Sequence, residues 1–150
     1  MLFQQQAVRM PITAAPATDE LDFLGSRCRV LADGLVEMLE MPAGDMPPLH
    51  VHSDADEGFY VIAGRLTLFL PDREIELEAG AFQLAPRGVP HTYRIGAEGA
   101  HVLVLSYPAG FERFVQAVAD LSEVDPATLT ATAAEHGIQI LGPPGTLPPA

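Results

Sequence analysis

The sequence predicts an all-β domain, either a closed barrel or a sandwich, that is followed by α-helices. Between residues 27 and 107, short runs rich in Val, Leu, Ile, Phe and Tyr are each ended by Gly, Pro or Asp. This pattern is typical of strands joined by tight turns. After Pro108 the apolar residues recur at intervals of three and four, which is the helical spacing. A length of 150 residues fits one domain with a substantial core.

Eight short runs are predicted to be strands. They lie at residues 27–32, 35–41, 59–62, 65–70, 74–78, 81–85, 91–95 and 101–107. Pro71 and Asp72 predict a tight turn between two of them, because Pro presets φ and Asp tolerates turn geometry. Eight such strands suit a sandwich or a barrel, which we assign to residues 25–108. The preceding residues 1–24 form an N-terminal segment that is a candidate for an added strand.

Two helices are predicted within residues 109–141, packed on the outside of the barrel or against a second subunit. The apolar face of the first contains Phe111, Phe114, Val115, Val118 and Leu121. The second is predicted over residues 126–136, since Asp125 suits the N-cap, Pro126 the first turn and Gly137 the position after the helix. Residues 142–150 contain four prolines and are predicted to be an extended tail.

The charge and composition exclude several classes of function. A formal net charge of −12 argues against nucleic-acid binding, which depends on clustered cations that neutralise phosphates. All eight cationic residues are arginines. The lack of lysine excludes Schiff-base chemistry, including lysine-anchored pyridoxal phosphate.

The expected location is the cytoplasm. No apolar run approaches the roughly 20 residues that cross a bilayer, and the first ten residues do not resemble a secretory signal. We therefore expect no membrane association. The single cysteine, Cys28, excludes an internal disulfide and fits a reducing compartment. We interpret Cys28 as a packing residue.

Three histidines and a glutamate carry the candidate chemistry. His50 and His52 are two residues apart, so an extended strand directs both side chains to one face. Glu57 follows five residues later, and His91 comes after a hairpin and a Gly- and Pro-rich turn. The four side chains can converge only if the sheet closes on itself. Taken alone, a His-x-His pair is also compatible with a surface pair or a satisfied core pair.

The spacing of these residues resembles the two motifs of the cupin family. The first motif is Gly, five residues, His, one, His, four, Glu, six, Gly, and it is matched at Gly44, His50, His52, Glu57 and Gly64. The second motif is Gly, five residues, Pro, one, Gly, two, His, three, Asn. It is matched at Gly80, Pro86, Gly88 and His91, whereas Ile95 replaces the final Asn. That Asn is not a metal ligand in the family, so the replacement leaves the ligand set intact.

The resemblance implies a double-stranded β-helix, the jelly-roll barrel of the cupins, with C-terminal α-helices. It also implies that His50, His52, Glu57 and His91 bind one divalent metal per chain. Imidazole and carboxylate together suit iron, manganese, nickel, cobalt, copper or zinc, and the sequence does not choose among them. Four protein ligands on a six-coordinate ion leave two positions for water, substrate or dioxygen.

Within the cupins, the chain resembles small bacterial quercetin 2,3-dioxygenase-like proteins. The residues that carry this likeness are Gly110, Phe111 and Glu112 at the first helix and the stretch from Gly137 to Pro144. The likeness implies dioxygen and a small substrate with adjacent enol and carbonyl oxygens. It makes Glu57 the catalytic proton acceptor.

Two other functions remain open at this point. A Lewis acid and a base are also sufficient for a non-redox isomerase, cyclase or lyase that acts on a dicarbonyl. A non-catalytic module that binds a small ligand is the third candidate. Edge strands and the helices suggest a homodimer, the commonest oligomer.

Further residues near the motifs have both a functional and a structural interpretation. Asp54 and Asp56 are rival ligands or a solvated acidic turn, and we favour the turn. His101 is a candidate acid-base group, but a surface or core role is favoured, and His136 is interpreted as a helix cap. Arg87 and Arg94 are interpreted as surface residues. The aromatic residues that could line a pocket are Phe59, Tyr60, Phe82 and Tyr93.

Overall fold

The computed structural model describes residues 19–150 and confirms the predicted jelly-roll barrel with C-terminal helices. The strands are β1 (Leu21–Phe23), β2 (Ser26–Ala32), β3 (Leu35–Met41), β4 (Pro48–His52), β5 (Asp56–Leu70), β6 (Arg73–Glu78), β7 (Phe82–Ala85), β8 (Thr92–Tyr107) and β9 (Ile138–Pro144). The helices are α1 (Phe111–Ala119) and α2 (Pro126–Glu135). Neither helix is long and apolar enough to cross a membrane.

The strands pair antiparallel in two sheets. The larger sheet has the order β1-β2-β3-β8-β5-β6, and β7 also pairs with β5, whereas β4 and β9 form a separate two-stranded sheet. The central strands β5 and β8 are long, and their register shifts near Val61 and Gly64. Each of these two strands covers two runs that were predicted to be separate strands. These irregularities bend both strands, which allows the sheet to curve around a common core.

Gly64 lies at the close approach of β5 and β8. Its φ of +78° is in the left-handed region, which side chains other than glycine rarely adopt. A Cβ at this position would also collide with the carbonyl oxygen of Gly99. Glycine is therefore required here by both backbone conformation and space.

The core lies between the curved sheet and the helices. Its fully buried side chains include Phe59, Leu66, Leu68, Ile95, Val36, Val61, Val102 and Val104 from the barrel and Val115 from α1. Cys28 is also completely buried, and its Sγ donates a weak hydrogen bond to the Leu21 carbonyl oxygen. Burial raises the pKa of the Cys28 thiol to about 11. The thiol is therefore uncharged and unreactive, as its interpretation as a packing residue requires.

The C-terminal region contains one strand that the sequence analysis did not predict. The helix α2 begins as expected, with Asp125 Oδ1 accepting a hydrogen bond from the Thr128 N–H at 2.8 Å. Strand β9 then pairs with β4, which lies about ninety residues earlier in the chain. It spans residues that we had assigned to the helical region and the extended tail. The prolines at its end are tolerated because β9 is an edge strand.

The N-terminal segment is described only in part. Strand β1 lies within residues 1–24 and pairs with β2, while residues 1–18 lie outside the described residues.

The Glu112 side chain connects α1 to the turn between β2 and β3 through hydrogen bonds. This buried carboxylate accepts hydrogen bonds from the backbone N–H groups of Gly34, at 3.1 Å, and Gly110, at 2.9 Å. We expect Glu112→Ala to lower the free energy of unfolding by about 2–3 kcal/mol, because it leaves a buried N–H without an acceptor. Glu112→Gln keeps an oxygen acceptor and should cost less. Urea unfolding measures both values.

The exposed Glu123→Ala variant is the matched control for charge removal. If Glu112→Ala lowers the free energy of unfolding by less than about 0.5 kcal/mol, these hydrogen bonds do not stabilise the fold. That value is the range of ordinary surface substitutions.

Candidate metal centre

The four predicted ligands come from three separate elements and meet inside the barrel. His50 and His52 lie on β4, Glu57 on β5, and His91 immediately before β8. One ligand atom from each residue lies within 4.8 Å of the ligand atoms of the other three. His52, Glu57 and His91 are buried, and His50 is partly exposed. The structure thus brings together all four residues that the motif spacing singled out.

Backbone pairing holds the histidines in place. The N–H of His50 donates to the carbonyl oxygen of His91 at 3.1 Å, and the N–H of His91 donates to that of His50 at 2.9 Å. Gly88, in the left-handed region at φ +76°, donates its N–H to the His52 carbonyl oxygen at 2.8 Å. The turn of the second motif is therefore bonded directly to the strand of the first.

The Glu57 carboxylate lies among the three imidazoles. Glu57 Oε2 is 3.0 Å from His91 Nε2, 3.1 Å from His52 Nε2 and 3.9 Å from His50 Nε2. The rings of His50 and His91 are 4.5 Å apart between centroids. Three Nε2 atoms and one carboxylate oxygen therefore face a common point.

Hydrogen bonds on the far side of two rings fix their tautomers. His50 Nδ1 is 2.8 Å from the Pro48 carbonyl oxygen, and His91 Nδ1 is 3.0 Å from that of Val89. A carbonyl oxygen only accepts hydrogen bonds, so each Nδ1 must carry a proton. A proton on Nδ1 leaves Nε2, the ring atom that faces Glu57, as the atom that can donate a lone pair to an ion, which is the arrangement of a metal-ligating histidine.

His52 supplies a further sign that the centre suits a cation. Its Nε2 is buried and, although it lies 3.1 Å from Glu57 Oε2, the ring is not oriented for a hydrogen bond. A buried polar atom without a partner is costly. A metal ion at the common point would satisfy this nitrogen together with the other three ligand atoms.

The electrostatics keep Glu57 ionised. Burial alone would raise the pKa of Glu57, but the neighbouring imidazoles of His52, His50 and His91 outweigh it and hold the pKa well below its usual range. The carboxylate is therefore an anionic oxygen donor at neutral pH. Three imidazoles and one carboxylate fit a divalent transition metal, and the thiolates of a structural zinc site are not part of this cluster.

A cavity of about 610 Å³ leads to the centre. His50 and His52 form part of its wall, together with apolar side chains from the barrel, both helices and β9. The two helices thus help to enclose the candidate site. This volume lies within the usual range for small-molecule sites.

Only two of the four candidate pocket aromatics face inward. Phe59 is 1% exposed and packs against the rings of His91 and Tyr93, and Tyr93 itself lines the cavity. Tyr60 and Phe82 point outward, with 39% and 54% of their surface exposed. Burial, with the Glu57 and Asp45 carboxylates adding to it, raises the pKa of Tyr93, so its hydroxyl stays protonated at neutral pH.

The secondary candidates lie away from the ligand cluster. Asp56 forms an ion pair with Arg87, which lowers the pKa of the aspartate, and Arg94 stacks over the ring of Phe69. His101 Nε2 is 2.8 Å from Glu37 Oε1 on the neighbouring strand.

The other two secondary candidates take structural positions as well. Asp54 is exposed beside Gly137, and His136 is the C-cap residue of α2.

Two parts of the cavity wall are not among the residues predicted from the sequence. Phe23, Phe111 and Phe114 form an aromatic cluster in which ring centroids are 5.6–6.0 Å apart, and the ring of Phe111 lies 6.1 Å from that of His52. The helical spacing identified Phe111 and Phe114 as apolar but not as neighbours of a ligand.

Asp45 is the second part of the wall that was missed. It lies inside the first motif, five residues before His50, and its only sequence signal was a carboxylate within a Gly- and Pro-rich loop. Burial raises the pKa of Asp45, against the opposing effect of hydrogen bonds from the Met46 N–H and the Ser26 side chain.

Comparison with known proteins agrees with this architecture. Residues 37–106 match the family model described as the cupin domain. Over 60 residues the chain is 40% identical to quercetin 2,3-dioxygenase of Bacillus subtilis (strain 168), and this match covers 40% of the chain but only 18% of that relative.

A solved structure shows the same fold over most of its own length. The structure of KdgF from Halomonas sp. superposes with a TM-score of 0.53 at 22% identity and covers 59% of this chain and 84% of that one. The polyketide cyclase RemF from Streptomyces resistomycificus has a TM-score of 0.48 at 28% identity and covers 59% and 69% of the two chains.

Proposed function

Because this chain is a member of the cupin superfamily, we propose that it is a metal-dependent dioxygenase acting on a small molecule with adjacent enol and carbonyl oxygens. The observation that carries the proposal is the convergence of three imidazole Nε2 atoms and one carboxylate behind the wall of an apolar cavity, which His50 and His52 line. The partial identity to a quercetin dioxygenase supports this choice of reaction.

The residues that would hold the metal are His50, His52, Glu57 and His91. When bound, a divalent metal supplies a Lewis acid and a template that brings two reactants together. The tautomers of His50 and His91 are already set by the Pro48 and Val89 carbonyl oxygens. The site therefore requires little rearrangement to bind an ion.

Glu57 is the proposed proton acceptor for the substrate hydroxyl. It is buried, ionised at neutral pH and lies beside the Nε2 atoms of all three histidines. Asp45, unlike Glu57, lines the cavity, but it does not belong to the ligand cluster. An anionic oxygen at the point where the substrate hydroxyl would bind is suited to remove its proton.

Oxygen uptake tests the reaction. The full chain, loaded in turn with iron, manganese, nickel, cobalt, copper and zinc, is assayed with 3-hydroxyflavone and with a 1,3-dicarbonyl compound. We expect oxygen consumption coupled to substrate loss with at least one redox-active metal. Substrate loss without oxygen consumption, also seen under nitrogen, would instead establish the non-redox isomerase, cyclase or lyase.

We also propose a homodimer that forms through the outer face of the sheet. The exposed apolar side chains on this face are Tyr60 and Ile62 on β5, Phe82 and Leu84 on β7, and Leu105 and Tyr107 on β8. Strand pairing places them side by side, since Tyr60 lies opposite Phe82 and Gly58 lies opposite both Leu84 and Leu105. The three aromatic residues alone expose about 300 Å², a large share of the roughly 800 Å² that each partner of a stable interface buries.

A second copy of the chain is the occupant that we propose because an apolar face is complementary to itself across a two-fold axis. The strongly acidic chain would otherwise repel its copy, and the apolar side chains of this face offer contacts without net charge beside the neutral ion pair of Asp56 with Arg87.

Phe82→Glu is expected to convert the dimer to a monomer. It places a charge on the outer face beside Tyr60, and Phe82 is exposed enough for the fold to tolerate the change. Sedimentation velocity measures the mass of both proteins. Leu147→Glu, an exposed apolar residue in the C-terminal tail, is the control that should stay dimeric. A wild-type chain that sediments as a monomer would contradict this assembly.

A further inference from the structure

The cavity contains polar groups besides the candidate metal ligands. Ser26, Asp45 and Tyr93 line it together, and the Ser26 side chain lies beside the Asp45 carboxylate and acts to lower its pKa. Asp125 and Thr130 also line the cavity, but their side chains bond to the backbone of α2. The first three residues are therefore the polar groups that remain available to a ligand.

Asp45 is held in a fixed position. Its carbonyl oxygen accepts a hydrogen bond from the Ile95 N–H at 2.9 Å, and its N–H donates to the Pro42 carbonyl oxygen at 3.0 Å. The Met46 N–H donates to Asp45 Oδ1 at 3.0 Å. A carboxylate has more acceptor positions than these bonds use, so it can still accept a hydrogen bond from the cavity.

The rest of the wall offers no compensating positive charge. None of the arginines between residues 19 and 150 lines the cavity, and most of the lining side chains are apolar. An anionic group at this end of a ligand would therefore be repelled by the half-buried Asp45 carboxylate, because solvent screens the two charges only weakly. A hydroxyl or amino group would instead find an acceptor in Asp45 and a neutral partner in Tyr93.

We infer that Asp45, Ser26 and Tyr93 form a second polar subsite, which binds a hydroxyl or amino group of an otherwise apolar ligand and disfavours a carboxylate or phosphate there. The ligand would thus carry two polar ends, one at the candidate metal centre and one at Asp45. This inference rests on the proposed function in taking the cavity as the substrate site.

Three naphthalene probes test the subsite without catalysis. N-phenyl-1-naphthylamine is uncharged, its 8-sulfonate carries an added anion, and N-(1-naphthyl)ethylenediamine carries an ammonium. Their dissociation constants are measured by calorimetry on the metal-loaded full chain and on Asp45→Asn. In this variant we expect the sulfonate to bind about tenfold more tightly, the ammonium probe about tenfold more weakly, and the uncharged probe within about twofold of the wild type.

Two control variants make the result specific. Asp72→Asn removes an equivalent charge at the exposed β5–β6 turn and should change none of the three constants. Thr130→Trp places a large ring in the cavity from its exposed position on α2 and should abolish binding of the uncharged probe.

Equal shifts for the sulfonate and ammonium probes in Asp45→Asn, or no shift in either, would overturn the inference. Retained binding in Thr130→Trp would also overturn it, because the probe would then bind outside the cavity. Neither outcome depends on oxygen consumption, so a failure of the proposed reaction remains distinguishable from a failure of the subsite.

Discussion

His91→Ala is expected to lower the metal affinity of the chain by at least about 100-fold. Mutation of a residue that only hydrogen-bonds to a metal ligand already lowers metal affinity by about 10- to 100-fold, and His91 is itself a candidate ligand. His91 is completely buried, its tautomer is fixed by Val89, and its Nε2 lies 3.0 Å from Glu57. No other side chain of the ligand cluster can move into its place, since His50 and His52 are held on β4. Elemental analysis and titration of the chelator-stripped protein with Zn²⁺ or Mn²⁺ measure the loss.

His101→Ala is the matched control for this experiment. His101 lies on β8, as does the residue that follows His91, but it bonds to Glu37 and takes no part in the ligand cluster. Its replacement should leave the metal content unchanged. Equal metal content in wild type and His91→Ala, after supplementation of both, would show that the four residues do not form the metal site.

The part of the fold that depends on local sequence could be predicted. The runs that form β2, β3 and β6, the turn at Pro71 and Asp72, and the two helices follow from side-chain periodicity and from turn and cap residues. Strand β9 could not be predicted in this way because β4, its partner, is distant in sequence, and its two prolines are atypical of a strand. The continuity of β5 and β8 was missed because Gly64 and Gly96 resemble turns when they are in fact bends within paired strands.

In the candidate site, as in the fold, only the features that depend on local sequence could be predicted. The convergence of the four candidate ligands could be predicted because the motif spacing fixes them on strand faces and at one turn, and it requires only that the barrel closes. The wall of the cavity could not be predicted, since Phe23, Asp45, Phe111 and β9 meet there only through tertiary packing. The candidate ligand set therefore follows from spacing, whereas the composition of the cavity wall depends on contacts between distant parts of the chain.

The candidate ligands and the cavity wall contribute different information about the reaction. Three histidines and a glutamate are compatible with oxygenation and with non-redox chemistry, so the ligands alone do not identify the reaction. The apolar wall and the Asp45 carboxylate instead restrict what can approach the ligands. Substrate selection and bond chemistry can therefore be tested by separate substitutions, Asp45 for the first and Glu57 for the second.

Glu57→Gln is expected to lower kcat of the proposed reaction by about 10²- to 10⁴-fold, the usual contribution of a general base. The amide keeps an oxygen that can face the metal and the three imidazoles, but it cannot accept the proton of the substrate hydroxyl. Metal affinity should also fall, because an anionic ligand is replaced by a neutral one. Turnover is therefore compared at matched metal occupancy, with iron or manganese measured in the same samples.

The comparison separates two roles of the same carboxylate. If Glu57 accepts the proton, Glu57→Gln at full occupancy binds 3-hydroxyflavone but turns it over slowly, and a substrate supplied as its enolate at high pH recovers part of the rate. If Glu57 serves only as a ligand, the loaded variant keeps the wild-type kcat and the defect is confined to metal affinity. In that case the proton must be removed by another group, and Tyr93 would not be suited to this role because its buried hydroxyl stays protonated at neutral pH.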